Sequence, residues 1–196
     1  MQKLAFAVGG ALVVLQSACS DNQRVTAPRI GAAASALAAD ERGAARDADD
    51  GRRLVSILDA CDGPSFTANG VACARVHGVT FQQFIAELTD KQAVGAWHFA
   101  PPNLIVEQGQ RFSAINRGGE THTFTKVTQF GGGIVPALNQ LSGNPVPTAA
   151  CTALQPSDFI PPGGMSMTDV AGVKGTELYQ CCIHPWMRTV VTVKRG

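Results

Sequence analysis

Residues Tyr179–Val193 read Tyr-Gln-Cys-Cys-Ile-His-Pro-Trp-Met-Arg-Thr-Val-Val-Thr-Val. Seven residues of this stretch carry a thiol, an imidazole and a thioether, at Cys181, His184 and Met187. Soft sulfur donors beside an imidazole favour copper over the hard, oxygen-loving cations. A second histidine would complete the His2Cys set with a weak axial Met that copper electron-transfer sites use. The flanks describe a tight loop between two strands. Leu178 to Cys181 leads in, Pro185 blocks a continued helix or ladder, and Thr189–Val193 is β-branched throughout.

The segment resembles the C-terminal ligand loop of the cupredoxins, the plastocyanin/azurin family of blue type-1 copper proteins. The spacing Cys-x2-His-x2-Met, with Pro185 and an aromatic Trp186 after the histidine, is closest to the short loop of amicyanin-like members. In that family the remaining ligand is a histidine on an earlier strand, a few residues after an asparagine. Asn116-Arg117-Gly118-Gly119-Glu120-Thr121-His122 supplies the match. The resemblance covers roughly residues 96–196 and implies a copper ligand set of His122, Cys181, His184 and Met187. It also implies that Asn116 is an outer hydrogen-bonding partner tying the two ligand loops together. Such contacts fix ligand orientation and tune the metal.

Other readings compete for these residues. Cys181, Cys182, His184 and His122 are the donor set of a structural Cys2His2 zinc site, although adjacent cysteines rarely turn to one metal and Met187 then has no role. Cys181 is preferred to Cys182 because its distance to His184 fits the family loop and it shares a strand face with Tyr179. Glu120, two residues from His122, is a candidate carboxylate ligand in place of Met187. Met165 and Met167 form a copper-carrying Met pair or, more cheaply, follow strand alternation. His98 reads as structural, and His77 as a solvent-facing loop residue.

The N-terminus reads as an export signal: Lys3, an apolar run from Leu4 to Leu15, then small residues. That run is short for a membrane span. Leu15-Gln16-Ser17-Ala18-Cys19 also resembles a bacterial lipobox, with Gln16 in the slot expected for Leu, so residues 1–19 are expected to be a signal peptide or lipobox. A lipid at Cys19 would be the chain's membrane contact. Residues 20–53 are Ala-rich with almost no large apolar side chain, and read as a disordered tether. Export to the periplasm or the cell surface permits disulfides. Of the six cysteines, Cys19 on lipid and Cys181 on copper leave four. Cys61–Cys73 and Cys151–Cys182 would use them all, though connectivity does not follow from sequence.

Residues 54–93 read as a small extension, a disulfide loop followed by an amphipathic helix over Phe81–Lys91. Thr80 and Gln83 open that helix as a capping box, and Phe81, Phe84, Ile85 and Leu88 recur at helical spacing. Residues 94–196 are expected to form the main domain: mainly β, a Greek-key cupredoxin sandwich of about seven or eight short strands. Ala96–Phe99, Asn103–Glu107, Gln110–Asn116, His122–Thr128, Met165–Val170 and Thr176–Cys182 alternate as strands do. Residues 129–156, with a triple glycine, several prolines and Cys151, read as an insertion loop.

The expected function is one-electron transfer by a single copper ion, with His184, Pro185 and Trp186 as the electron port and docking patch for transient redox partners. The alternative is a periplasmic copper-binding module for storage, delivery or resistance. An enzyme is not expected, because copper enzymes of this kind need a further histidine-built centre and the chain has four histidines. A net charge of +1 with scattered basic residues argues against a nucleic-acid binder. The expected state is a monomer.

Overall fold

The computed structural model describes residues 53–196. The expected signal or lipobox and all but the last residue of the expected tether lie outside the described residues. The described chain is mainly β. One sheet has the order β2-β1-β4-β8, built from β1 (Arg53–Leu58), β2 (His98–Ala100), β4 (Arg111–Asn116) and β8 (Asp169–Val170). The second runs β3-β10-β9-β6, from β3 (Asn103–Glu107), β6 (Thr125–Val127), β9 (Gly175–Gln180) and β10 (Arg188–Lys194). A two-stranded ribbon joins β5 (His122–Thr123) to β7 (Phe159–Ile160). β1 runs parallel to β4 and β3 parallel to β10, while the other pairs are antiparallel.

Alternation along each strand builds the core. β3 buries Leu104 and Val106 and exposes the residues between them, and β10 does the same with Val191 and Val193. β1 contributes Val55 and Ile57, and β4 contributes Phe112 and Ala114, to the same cluster. Aromatic rings fill the space between the sheets: Phe112 of β4 meets Tyr179 of β9 edge-on at 5.4 Å, and Phe124, between β5 and β6, stacks on Tyr179 at 4.6 Å. Each such pair adds about 0.5–1.5 kcal/mol beyond the area it buries.

β1 has no counterpart among the strands expected from sequence, and it alters the role of the segment after Leu54. This strand lies in the interior of a sheet, between β2 and β4. The helices that follow it are α1 (Gly63–Thr67) and α2 (Phe81–Lys91). α2 has the expected limits and the expected capping box: the Thr80 side chain accepts from the Gln83 amide, and Gln83 accepts from the Thr80 amide. The Cys61–Cys73 disulfide closes the loop between the two helices onto the end of β1.

The strand expected over His122–Thr128 is instead broken at Phe124, and its halves join different sheets. At the break the Thr123 amide points at Cys181 Sγ and its hydroxyl accepts from the Cys182 amide. Residues 129–156 carry two short helices, α3 (Pro136–Leu141) and α4 (Ala149–Thr152). They are fastened to the segment after β9. The Ile134 amide donates to Cys182 O at 2.7 Å, Cys151 is bonded to Cys182, and Arg188 reaches Asn144 Oδ1 at 2.6 Å. Gly133 passes so close to the Cys182 carbonyl that any Cβ there would collide with it.

Candidate metal centre

Three chain segments converge on one buried point. β5 brings His122, the end of β9 brings Cys181, and the turn before β10 brings His184; all three are buried. Cys181 is the free cysteine among the described residues. Its Sγ lies 3.7 Å from Nδ1 of His122 and 3.8 Å from Nδ1 of His184. The three donor atoms fall within 4.8 Å of one another. An ion about 2.0–2.1 Å from nitrogen and about 2.3 Å from sulfur, in a trigonal plane, holds nitrogen and sulfur about 3.8 Å apart. Both sulfur-to-nitrogen separations match that spacing.

Backbone geometry fixes the thiolate. The amides of Thr123 and His184 both point at Cys181 Sγ at 3.5 Å. Across the loop, Cys181 N donates to Met187 O and Met187 N to His184 O, so the turn closes on itself. Met187 is fully buried. Cys182 is paired with Cys151, which removes the Cys2His2 zinc reading. Met165 and Met167 are exposed, and His77 and His98 are exposed as well.

Glu120 does not face the donor triangle. Its Oε2 accepts from Trp97 Nε1 at 2.6 Å and lies 3.6 Å from Nε2 of His184, the nitrogen turned away from Cys181. His122 has a matching partner that sequence reading missed. Asp59, at the end of β1, accepts from His122 Nε2 at 2.8 Å and from the amides of Gly119 and Glu120. Any Cβ on Gly118 would collide with that carboxylate, so the loop needs glycine there.

Asn116 sits differently from its expected role. Its Nδ2 donates to Glu120 O and Ile160 O, and its Oδ1 accepts from Gly118 N. It braces the His122 loop against β7. The tie between β5 and the segment after β9 is Thr123, whose Oγ1 accepts from Cys182 N at 2.8 Å. Thr123→Val should therefore leave a buried N–H without its partner and cost about 1–3 kcal/mol. Urea unfolding of the metal-free protein measures it.

His184, expected at the surface, is 2 % exposed. The extension covers it: the Phe84 ring of α2 stands edge-on to it at 6.4 Å, and Trp186 at 5.4 Å. Phe84 in turn packs on Trp97 at 4.8 Å and on Phe66 at 5.6 Å. Trp186, packed beside His184, is partly exposed, although its Nε1 is buried.

Charge in the metal-free cluster follows from this geometry. Burial disfavours an ionised Asp59, yet bonds from His122, Gly119 and Glu120 and the charge of His122 hold its carboxyl at about 2. Burial also disfavours a charged His122, but Asp59 and Cys181 outweigh it and push the imidazole up to about 9. Burial would raise the Cys181 thiol. Hydrogen bonds and charge from His122 and His184 instead hold it well below its ordinary value, as a thiolate. For Glu120 burial prevails, and its carboxyl is pushed up.

No family model matches the sequence, and no curated protein matches it. Among solved structures, the chain is similar to a purple cupredoxin from Nitrosopumilus maritimus, with 16% identity and a TM-score of 0.42, covering 72% of this chain and 99% of that one. It is also similar to oxidised plastocyanin from Dryopteris crassirhizoma, with 13% identity, a TM-score of 0.37, and the same coverage of 72% and 99%. A reduced amicyanin mutant aligns at 22% identity and a TM-score of 0.36, over 56% of this chain and 89% of its own. Likeness this loose carries no functional argument; the side chains must supply it.

Proposed function

We propose that the protein is an exported, single-copper electron carrier with a type-1 site formed by His122, Cys181, His184 and Met187. The observation that carries this reading is the buried triangle of one free thiolate and two Nδ1 atoms. Copper bound there supplies a one-electron Cu(II)/Cu(I) couple. The protein's own part is to keep the donors still. His122 and His184 each have a carboxylate on the nitrogen remote from Cys181, and two amides point at the sulfur. Met187 would be the weak axial donor that helps set the potential.

Burial favours a carrier over a storage or delivery module. Exchange of metal needs ligands within reach of a donor protein, and all three donors are enclosed. Trp186, against His184 and partly exposed, marks the face where a redox partner would dock briefly. Two disulfides fit work outside the cytoplasm, in the periplasm or at the cell surface. Among the described residues no helix is long and apolar enough to cross a membrane. A lipid at Cys19 would be the anchor.

Voltammetry of the copper-loaded protein tests the carrier role: a reversible one-electron wave is expected, whereas an irreversible wave with copper loss on reduction points to delivery. Loading should also depend on pH. In the metal-free protein His122 carries a proton that the ion must displace, whereas Cys181 is already ionised. Affinity should therefore rise with pH until about 9 and then level as His122 gives up its proton unaided. Calorimetry in buffers of different ionisation heat would detect the proton released.

A further inference from the structure

Asp59 is a buried acid at the end of a strand that no ligand motif includes. It is 4 % exposed, and its two oxygens are fully engaged. Oδ2 accepts from His122 Nε2 at 2.8 Å, from Gly119 N at 2.9 Å and from Glu120 N at 3.0 Å, and Oδ1 accepts from Gly119 N at 2.9 Å and Cys61 N at 3.2 Å. A neutral carbonyl would be enough to orient an imidazole. A carboxylate is costlier to bury unless its charge is answered nearby. His122 Nε2 bonds it at 2.8 Å, and in the loaded protein that ring faces a cation on its other side.

The charge balance then separates the two oxidation states. Counting the metal, the Cys181 thiolate and Asp59, copper(II) with the thiolate leaves about +1, which Asp59 cancels, whereas copper(I) leaves about −1; Glu120, beside His184, is common to both states. Hydrogen bonding of Nε2–H to a carboxylate also makes Nδ1 a stronger donor and fixes its direction. Resting on the copper reading above, we propose that Asp59 is a positioning and charge-balancing residue of the metal centre, supplied by β1, which holds His122 with Nδ1 towards Cys181 and lowers the reduction potential by favouring copper(II). The strand and disulfide loop ahead of α2 are thus working parts of the site. Cys61, whose amide also bonds Asp59, is pinned to Cys73 and steadies the carboxylate.

The test compares Asp59→Asn with the unaltered protein by copper(II) affinity, copper(I) affinity and reduction potential. Loss of an outer partner of this kind costs roughly 10–100-fold in metal affinity, and the loss should fall mainly on copper(II). Each tenfold difference between the two states raises the potential by about 59 mV. A merely structural Asp59 would weaken both states alike and leave the potential where it was, which overturns the proposal. Should Asp59→Asn not fold, NMR of the unaltered protein, metal-free and copper(I)-loaded, decides. An Nε2-bound proton of His122, slow to exchange and strongly deshielded, is expected in both, and its absence overturns the proposal. Unaltered protein that takes up no copper through Cys181 defeats the reading of the site itself. A coloured protein whose potential ignores Asp59 defeats this inference alone.

Discussion

Cys181→Ser should leave a folded protein that has lost both the thiolate-to-copper absorption and the ability to retain copper(I). Serine removes the soft donor that selects copper and replaces it with a hydroxyl that does not ionise near neutrality. The loss should exceed the roughly 10–100-fold that follows removal of an outer partner. Cys181 and the two imidazoles form one unit, so His122 also loses one of the partners that holds its proton. Its affinity for a proton should fall in the metal-free variant, leaving Asp59 as its main partner. Chelator competition reads the affinity, and NMR titration of the metal-free variant reads His122. Cys182→Ser changes a different property, since that residue is tied to Cys151 in the loop over residues 129–156.

Phe84→Ala should have the largest effect on stability. The ring is 3 % exposed and packs among Phe66, Phe81, Trp97, Trp186 and His184. Truncating such a ring to alanine costs about 3–5 kcal/mol, part of it for the cavity left behind. Here the cavity also opens the side of His184 that α2 covers. A chelator should therefore strip copper faster from Phe84→Ala than from the unaltered protein, beyond what the lower stability accounts for. Denaturant unfolding gives the first quantity, and stopped-flow chelation in the absence of denaturant gives the second. If stability falls while the rate of copper loss stays constant, α2 is packing alone and not a cover.

The parts legible in sequence were those encoded locally. Cys181, His184 and Met187 lie within one short stretch of chain, and all three are buried together there. Thr80 and Gln83 lie within a single helical turn, and the cap between them formed where their spacing placed it. Cys61 and Cys73 bracket a short loop and are bonded. Burial of His184 was illegible because it depends on Phe84, a hundred residues away in sequence and brought over the site by tertiary packing. The same holds for Asp59, 63 residues from the ring it holds. A single acid after a short apolar run gives no periodic signal. Leu54–Leu58 is likewise too brief for its period to distinguish strand from helix or linker. Its register beside β4 is set by long-range pairing, Ile57 opposite Asn116 among others. Thr123 looked like one more β-branched strand residue, and its hydroxyl became the link between β5 and the segment after β9 only because β5 leaves the sheet there.

The visible absorption spectrum of the copper(II)-loaded protein tests the central claim most directly. Charge transfer from the Cys181 thiolate should give an intense visible band that disappears on reduction and returns on reoxidation. A colourless protein that keeps zinc and declines copper would contradict it.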